Sequence, residues 1–179
     1  QSGPVPHIDL QACTRRGIVV SSGGAPHADV LSAASRATAE LARGLILAAT
    51  RRIPQEAASL KAGTWQQSLG RMLHGRTLGI LGYGQIGAQV ASYARAFGMH
   101  VIAAGREASA ERARRDGHEA ATREDLFSRS DVLSVHLRLS PQTRHGITAA
   151  ELARMKPDAL FVNTARAELV APGALAAAL

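Results

Sequence analysis

The chain has 179 residues, 46% of them hydrophobic, which is enough for one full domain and a piece of another. No apolar run reaches the roughly 18 residues of a membrane span, no secretory signal pattern opens the chain, and the lone Cys13 has no internal disulfide partner, which fits a reducing cytoplasm. The formal charge of +7 comes almost wholly from scattered arginines, and three Phe, two Tyr and one Trp make no stacking platform, so nucleic acid is not expected as a partner; no membrane partner and no metal site are expected either.

Residues 16–20, Arg-Gly-Ile-Val-Val, read as a short β-branched strand, and 21–26 as the loop that ends it. Apolar groups then recur at helical spacing through Leu41, Leu45, Ile46, Ala49 and Ile53. This predicts a long helix over 37–60 that Pro54 kinks or divides and Ala62-Gly63 closes. Trp65 falls in a polar, irregular connection. Residues 78–81 are an apolar run leading straight into Gly82-x-Gly84-x-x-Gly87, and an Ala-rich helix is predicted over 85–97.

That order of strand, glycine turn and helix is the context a dinucleotide fingerprint requires. Gly82 permits the sharp turn, Gly84 lets the main chain approach a pyrophosphate, and Gly87 lets the helix pack against the strand. Amide hydrogens at the helix start, with the helix dipole behind them, face the phosphates.

The alternation continues with a strand over 99–104, a charged helix over 106–115 and a second helix over 122–129 capped by Thr122. A strand over 131–136 follows, then a helix over 148–155 whose Thr148 and Glu151 form a capping box. A strand over 159–163 and a helix over 173–179 complete the pattern. Strands alternating with helices predict an α/β, doubly wound parallel sheet covered on both faces. The start at Gln1 and the uncapped alanine-rich end at Leu179 suggest a piece of a longer protein.

In an NAD-binding unit an acidic residue ends the second strand and holds the ribose hydroxyls. Here that strand ends Val101-Ile-Ala-Ala-Gly105-Arg106, with glycine in the acid's place and arginine next. Loss of the carboxylate removes repulsion toward a 2′-phosphate, and a guanidinium pairs with one, so NADP is favoured over NAD.

Together with the fingerprint, several phrases make the chain resemble the D-isomer-specific 2-hydroxyacid dehydrogenase family, which includes phosphoglycerate dehydrogenase and glyoxylate/hydroxypyruvate reductase. They include Arg52-Ile-Pro54, Gly63-x-Trp65, Gly75-Arg-Thr-Leu-Gly-Ile-Leu-Gly82, Ala96-Phe-Gly-Met99, His136-Leu137, Met155-Lys-Pro157 and Val162-Asn-Thr-Ala-Arg166, in the family's order along nearly the whole chain. The resemblance implies a Rossmann domain over 37–179, truncated at its C-terminal end, after the end of a flavodoxin-like substrate domain over 1–36. It also implies a homodimer built on the helix after Ala37.

Carried over by position, the resemblance gives Gln85 and Ile86 main-chain contacts to the pyrophosphate, and sets Gly105 and Arg106 beside the adenosine ribose. His136, Leu137 and Arg138 line the adenine side, while Thr164, Ala165 and Arg166 lie near the nicotinamide. Arg166 matches the arginine that clamps the substrate carboxylate and polarises the carbonyl of a 2-oxo acid, a task suited to a planar bidentate donor. The family's acid/base histidine and its partner glutamate would lie beyond residue 179, and none of the seven histidines here fits that role. The chain alone is therefore expected to bind NAD(P) but to turn over slowly or not at all. Departures at Ser21-Ser22, at 29–36, at Ala167 and at Ala171-Pro172 leave the substrate's identity open. The alternative is a non-catalytic NAD(P)-binding regulatory module on the same fold.

Overall fold

The computed structural model describes residues 8–20 and 28–179, so the loop expected at 21–26 lies outside the described residues. The chain divides into two compact units, Gln1–Ser35 and Arg36–Leu179. In the first, helix α1 (Leu10–Arg15) opens on Asp9, whose carboxylate accepts the Ala12 N–H at 2.9 Å. The strand expected at 16–20 does not form. Arg16 is the C-cap of α1, and Ile18 and Val19 are exposed with no strand beside them among the described residues. β-branching alone does not make a strand where no partner supplies the ladder.

The helical region resolves into α2 (Ala28–Thr50) and α3 (Ile53–Lys61). Helix α2 begins earlier than its apolar spacing predicts, and the break falls at Arg52, which takes a left-handed φ of 54°. Pro54 then sits in the first turn of α3, where its missing N–H is no loss.

The sheet of the second unit has β1 (Thr77–Leu81), β2 (His100–Ala104), β3 (Glu119–Ala120), β4 (Val132–Val135) and β5 (Leu160–Asn163). Its order is β3-β2-β1-β4-β5, and every pairing is parallel. Helices α4 (Gln85–Ala96), α5 (Glu107–Arg115), α6 (Arg123–Arg129), α7 (Ala149–Leu152) and α8 (Ala174–Ala178) and a 3-10 turn (Ala167–Leu169) make up the remaining regular elements among the described residues. The doubly wound α/β expectation holds, and it holds because strand residues alternate between two apolar layers. Leu78, Ile80, Val101, Ala103 and Val132 join one buried cluster with Val90 and Ala91 of α4. Leu81, Ile102, Leu133 and Val135 join the other with Leu126 and Phe127 of α6.

Strand β3 was not legible in the sequence. It is two residues long and is defined only by its pairing with Ile102 and Ala103. The strand order reverses between β1 and β4, and at such a point the loops of neighbouring strands diverge and leave a crevice at their carboxyl ends.

Candidate dinucleotide-binding site

The loop after β1 is fixed by main-chain bonds to both neighbouring strands. Gly82 N–H donates to Ala104 O at 2.9 Å, and His136 N–H donates to Leu81 O at 2.8 Å. Gly82 has φ of 97°, and a Cβ built there would lie 2.8 Å from His136 O, so both conformation and space demand glycine. At Gly87 a Cβ would stand 2.7 Å from Gly82 O and 3.0 Å from the Ile80 side chain, which is the close approach of α4 to β1 expected from the sequence.

Gly84 is different. It caps α4 with an ordinary φ of −103°, and a Cβ there would meet nothing within 4 Å. Neither backbone strain nor packing asks for glycine at that place. The absent side chain instead leaves open space over the start of a twelve-residue helix with no acidic residue in its first turn. The positive end of that helix therefore has no carboxylate of its own to neutralise it. An anion that approaches the main chain fits this cradle.

Of the other expected site residues, Gly105 follows β2 and Arg106 is the N-cap of α5; both are exposed. A Cβ on Gly105 would lie 3.9 Å from Gly82 Cα, which puts the β2 end against the glycine loop. Among the described residues Arg106 makes no ion pair.

His136 follows β4, half-buried, with Nε2 2.9 Å from the hydroxyl of the fully buried Ser134. Burial pushes the imidazole pKa down to about 4, so the ring is neutral near neutral pH. Leu137 is half-buried, and Arg138 is exposed with its carbonyl held by the Thr143 hydroxyl at 2.7 Å.

At the end of β5, Asn163 shapes the loop that carries the last three expected residues. Its Oδ1 accepts the Ala165 N–H at 3.0 Å and its Nδ2 donates to Arg166 O at 2.9 Å. The Thr164 hydroxyl is buried without a partner among the described residues, Ala165 is half-buried, and Arg166 is exposed. All of these positions lie at the carboxyl end of one sheet, and the Gly82 backbone is where Gly84, Gly87, Gly105, His136 and Leu137 each come into contact range. The loop-shaping part of Asn163 was not anticipated, although asparagine two residues before a loop N–H is its usual signal. The support that Ser134 gives His136 was not anticipated either, since strand alternation shows which way Ser134 faces and not what it meets.

The family model described as D-isomer specific 2-hydroxyacid dehydrogenase, NAD binding domain, matches residues 43–179. The D-3-phosphoglycerate dehydrogenase of Methanocaldococcus jannaschii is 42% identical to the chain, across 98% of the chain and 33% of that protein. The crystal structure of a phosphoglycerate oxidoreductase from Vibrio cholerae superposes with a TM-score of 0.88 at 46% identity, covering 97% of this chain and 54% of that one. A D-lactate dehydrogenase from Aquifex aeolicus, solved in complex with NAD and lactic acid, gives a TM-score of 0.75 at 31% identity, with 95% and 50% covered. The chain thus spans from 33% to 54% of the length of these proteins.

Proposed function

The chain belongs to the D-isomer-specific 2-hydroxyacid dehydrogenase family, through that family's NAD-binding domain, and from this we propose that it is the cofactor-binding part of an oxidoreductase acting on the CH–OH group of a small 2-hydroxy acid. The single observation that carries the reading is the open space at Gly84, above a helix start with no acid in its first turn. There the main-chain amides of Gln85, Ile86 and Gly87 bind the pyrophosphate while Gly82 and Gly87 hold the turn tight. The cofactor, once bound, supplies or accepts the hydride at its nicotinamide ring.

The chain's own part is to bind and orient. Gly105 and Arg106 flank the adenosine ribose, where the guanidinium and the missing carboxylate favour NADP over NAD. His136, Leu137 and Arg138 form the adenine side. Thr164 and Ala165 border the nicotinamide, and Arg166 clamps the substrate carboxylate and polarises the oxo group. His136 is no proton donor at neutral pH, because burial keeps it uncharged. The isolated chain therefore binds cofactor and turns over slowly or not at all. The single cysteine suits a reducing cytoplasm.

Exposed Leu41, Leu45, Ile53 and Leu60 on α2 and α3 suit a homodimer contact. Titration of the purified chain with NADH and with NADPH, following nicotinamide fluorescence, tests the cofactor assignment. Saturable binding of both is expected, with NADPH the tighter. Tighter NADH overturns the assignment of Gly105 and Arg106, and no binding of either overturns the whole reading.

A further inference from the structure

Tyr83 stands between Gly82 and Gly84, the two loop residues whose backbones are least restrained by a side chain. A loop of that composition samples many conformations, and a ligand that docks on main-chain amides must select one of them. Yet the Tyr83 side chain is 1% exposed and belongs to the same buried cluster as Val101, Ala103 and Ala113. Its phenol reaches out of that cluster and donates to Asp116 Oδ2 at 2.8 Å. Burial first, and the Asp116 carboxylate second, raise the phenol's pKa, so it stays a donor through neutral pH. Asp116 is the exposed C-cap of α5, and the His118 ring just beyond it packs on the phenol at 5.8 Å between centroids. The loop's central residue is thus fastened at both ends, by packing at the ring and by a charge-assisted bond at the oxygen.

We infer that the Tyr83–Asp116 pair is a tether that holds the glycine loop in its dinucleotide-accepting shape, so that both are positioning residues for the cofactor while Asp116 itself lies on the next crossover. The inference rests on the dinucleotide reading of the loop. Neither side chain is assigned a contact to the cofactor; the tether acts through the conformation of Gly82 and Gly84.

The test is a double-mutant cycle on the full chain. Tyr83→Phe keeps the ring and removes the bond, Asp116→Ala removes the acceptor from a surface position, and Asp116→Asn restores an acceptor. NADH affinity is read by nicotinamide fluorescence, and exchange of the amide hydrogens over 82–87 is read in the ligand-free protein. Tyr83→Phe and Asp116→Ala should each weaken NADH roughly three- to tenfold, part of the worth of one charge-assisted hydrogen bond. The double variant should be no worse than either single one, Asp116→Asn should recover most of the affinity, and loop amides should exchange faster in both weakened variants. Unchanged affinity in Tyr83→Phe with only a lower Tm, or additive losses in the double variant, overturns the tether. Wild-type chain that does not bind NADH overturns the dinucleotide reading instead, and the two failures are told apart by that first titration.

Discussion

At the level of single residues, the three glycines of the loop are not equivalent, and substitutions should separate them. Gly84→Ala meets open space at an ordinary φ. It should therefore leave Tm almost unchanged while NADH binding weakens about tenfold or more, because the methyl occupies the approach of the pyrophosphate. Gly87→Ala drives a Cβ to 2.7 Å from Gly82 O. It should cost about 1–3 kcal/mol of stability in a urea titration before any effect on ligand is considered. His136 supplies a pH signature. Its folded pKa of about 4 lies below the ordinary 6.5, so the unfolded chain takes up the proton first as pH falls. Stability is fully present above pH 6.5 and is lost as pH drops toward 4, by on the order of 3 kcal/mol for a group this buried. His136→Asn should flatten much of that slope in thermal melts. Some slope should remain from His118, whose pKa is lowered by burial and then by Arg95.

Among the elements, short helices depend on their caps. Thr148 and Glu151 exchange side-chain and main-chain bonds at the start of α7, which has only four residues, and Arg123 pairs with the same glutamate. Thr148→Ala should lower the unfolding free energy by about 1 kcal/mol, with the urea m-value unchanged. That capping box, like the start of α4 at Gln85, was legible because the signal is local and chemical. The same is true of β1, β2, β4 and β5, whose apolar runs are long enough to face both layers. What escaped the sequence was set by tertiary pairing. β3 exists through its partner, the strand expected at 16–20 has none among the described residues, and the left-handed turn at Arg52 is an arginine where glycine would be the usual sign. In the candidate site the glycines announced themselves by spacing. The burial of His136 and the anchoring of Tyr83 depend on residues far away in sequence, and no pattern encodes them.

For the molecule as a whole, the concentration of exposed apolar side chains on α2 and α3 should govern association. Leu41 and Leu45 are 57% and 44% exposed, so replacing both with lysine leaves the core intact. If this face forms the proposed homodimer, the wild-type chain should sediment as a dimer and the double variant as a monomer at the same concentration, and identical sedimentation of the two would dismiss this face as the contact. The sheet's winding also has a consequence for how the protein is made. During synthesis the glycine loop leaves the ribosome long before His136, whose carbonyl lies behind Gly82 and whose N–H serves Leu81. The first three strands can pair as they emerge, but β1 waits with one bare flank until β4 is translated. A ribosomal pause in that interval would hold the nascent chain at its stickiest, with one flank of a central strand bare and a half-built cradle open to wrong partners.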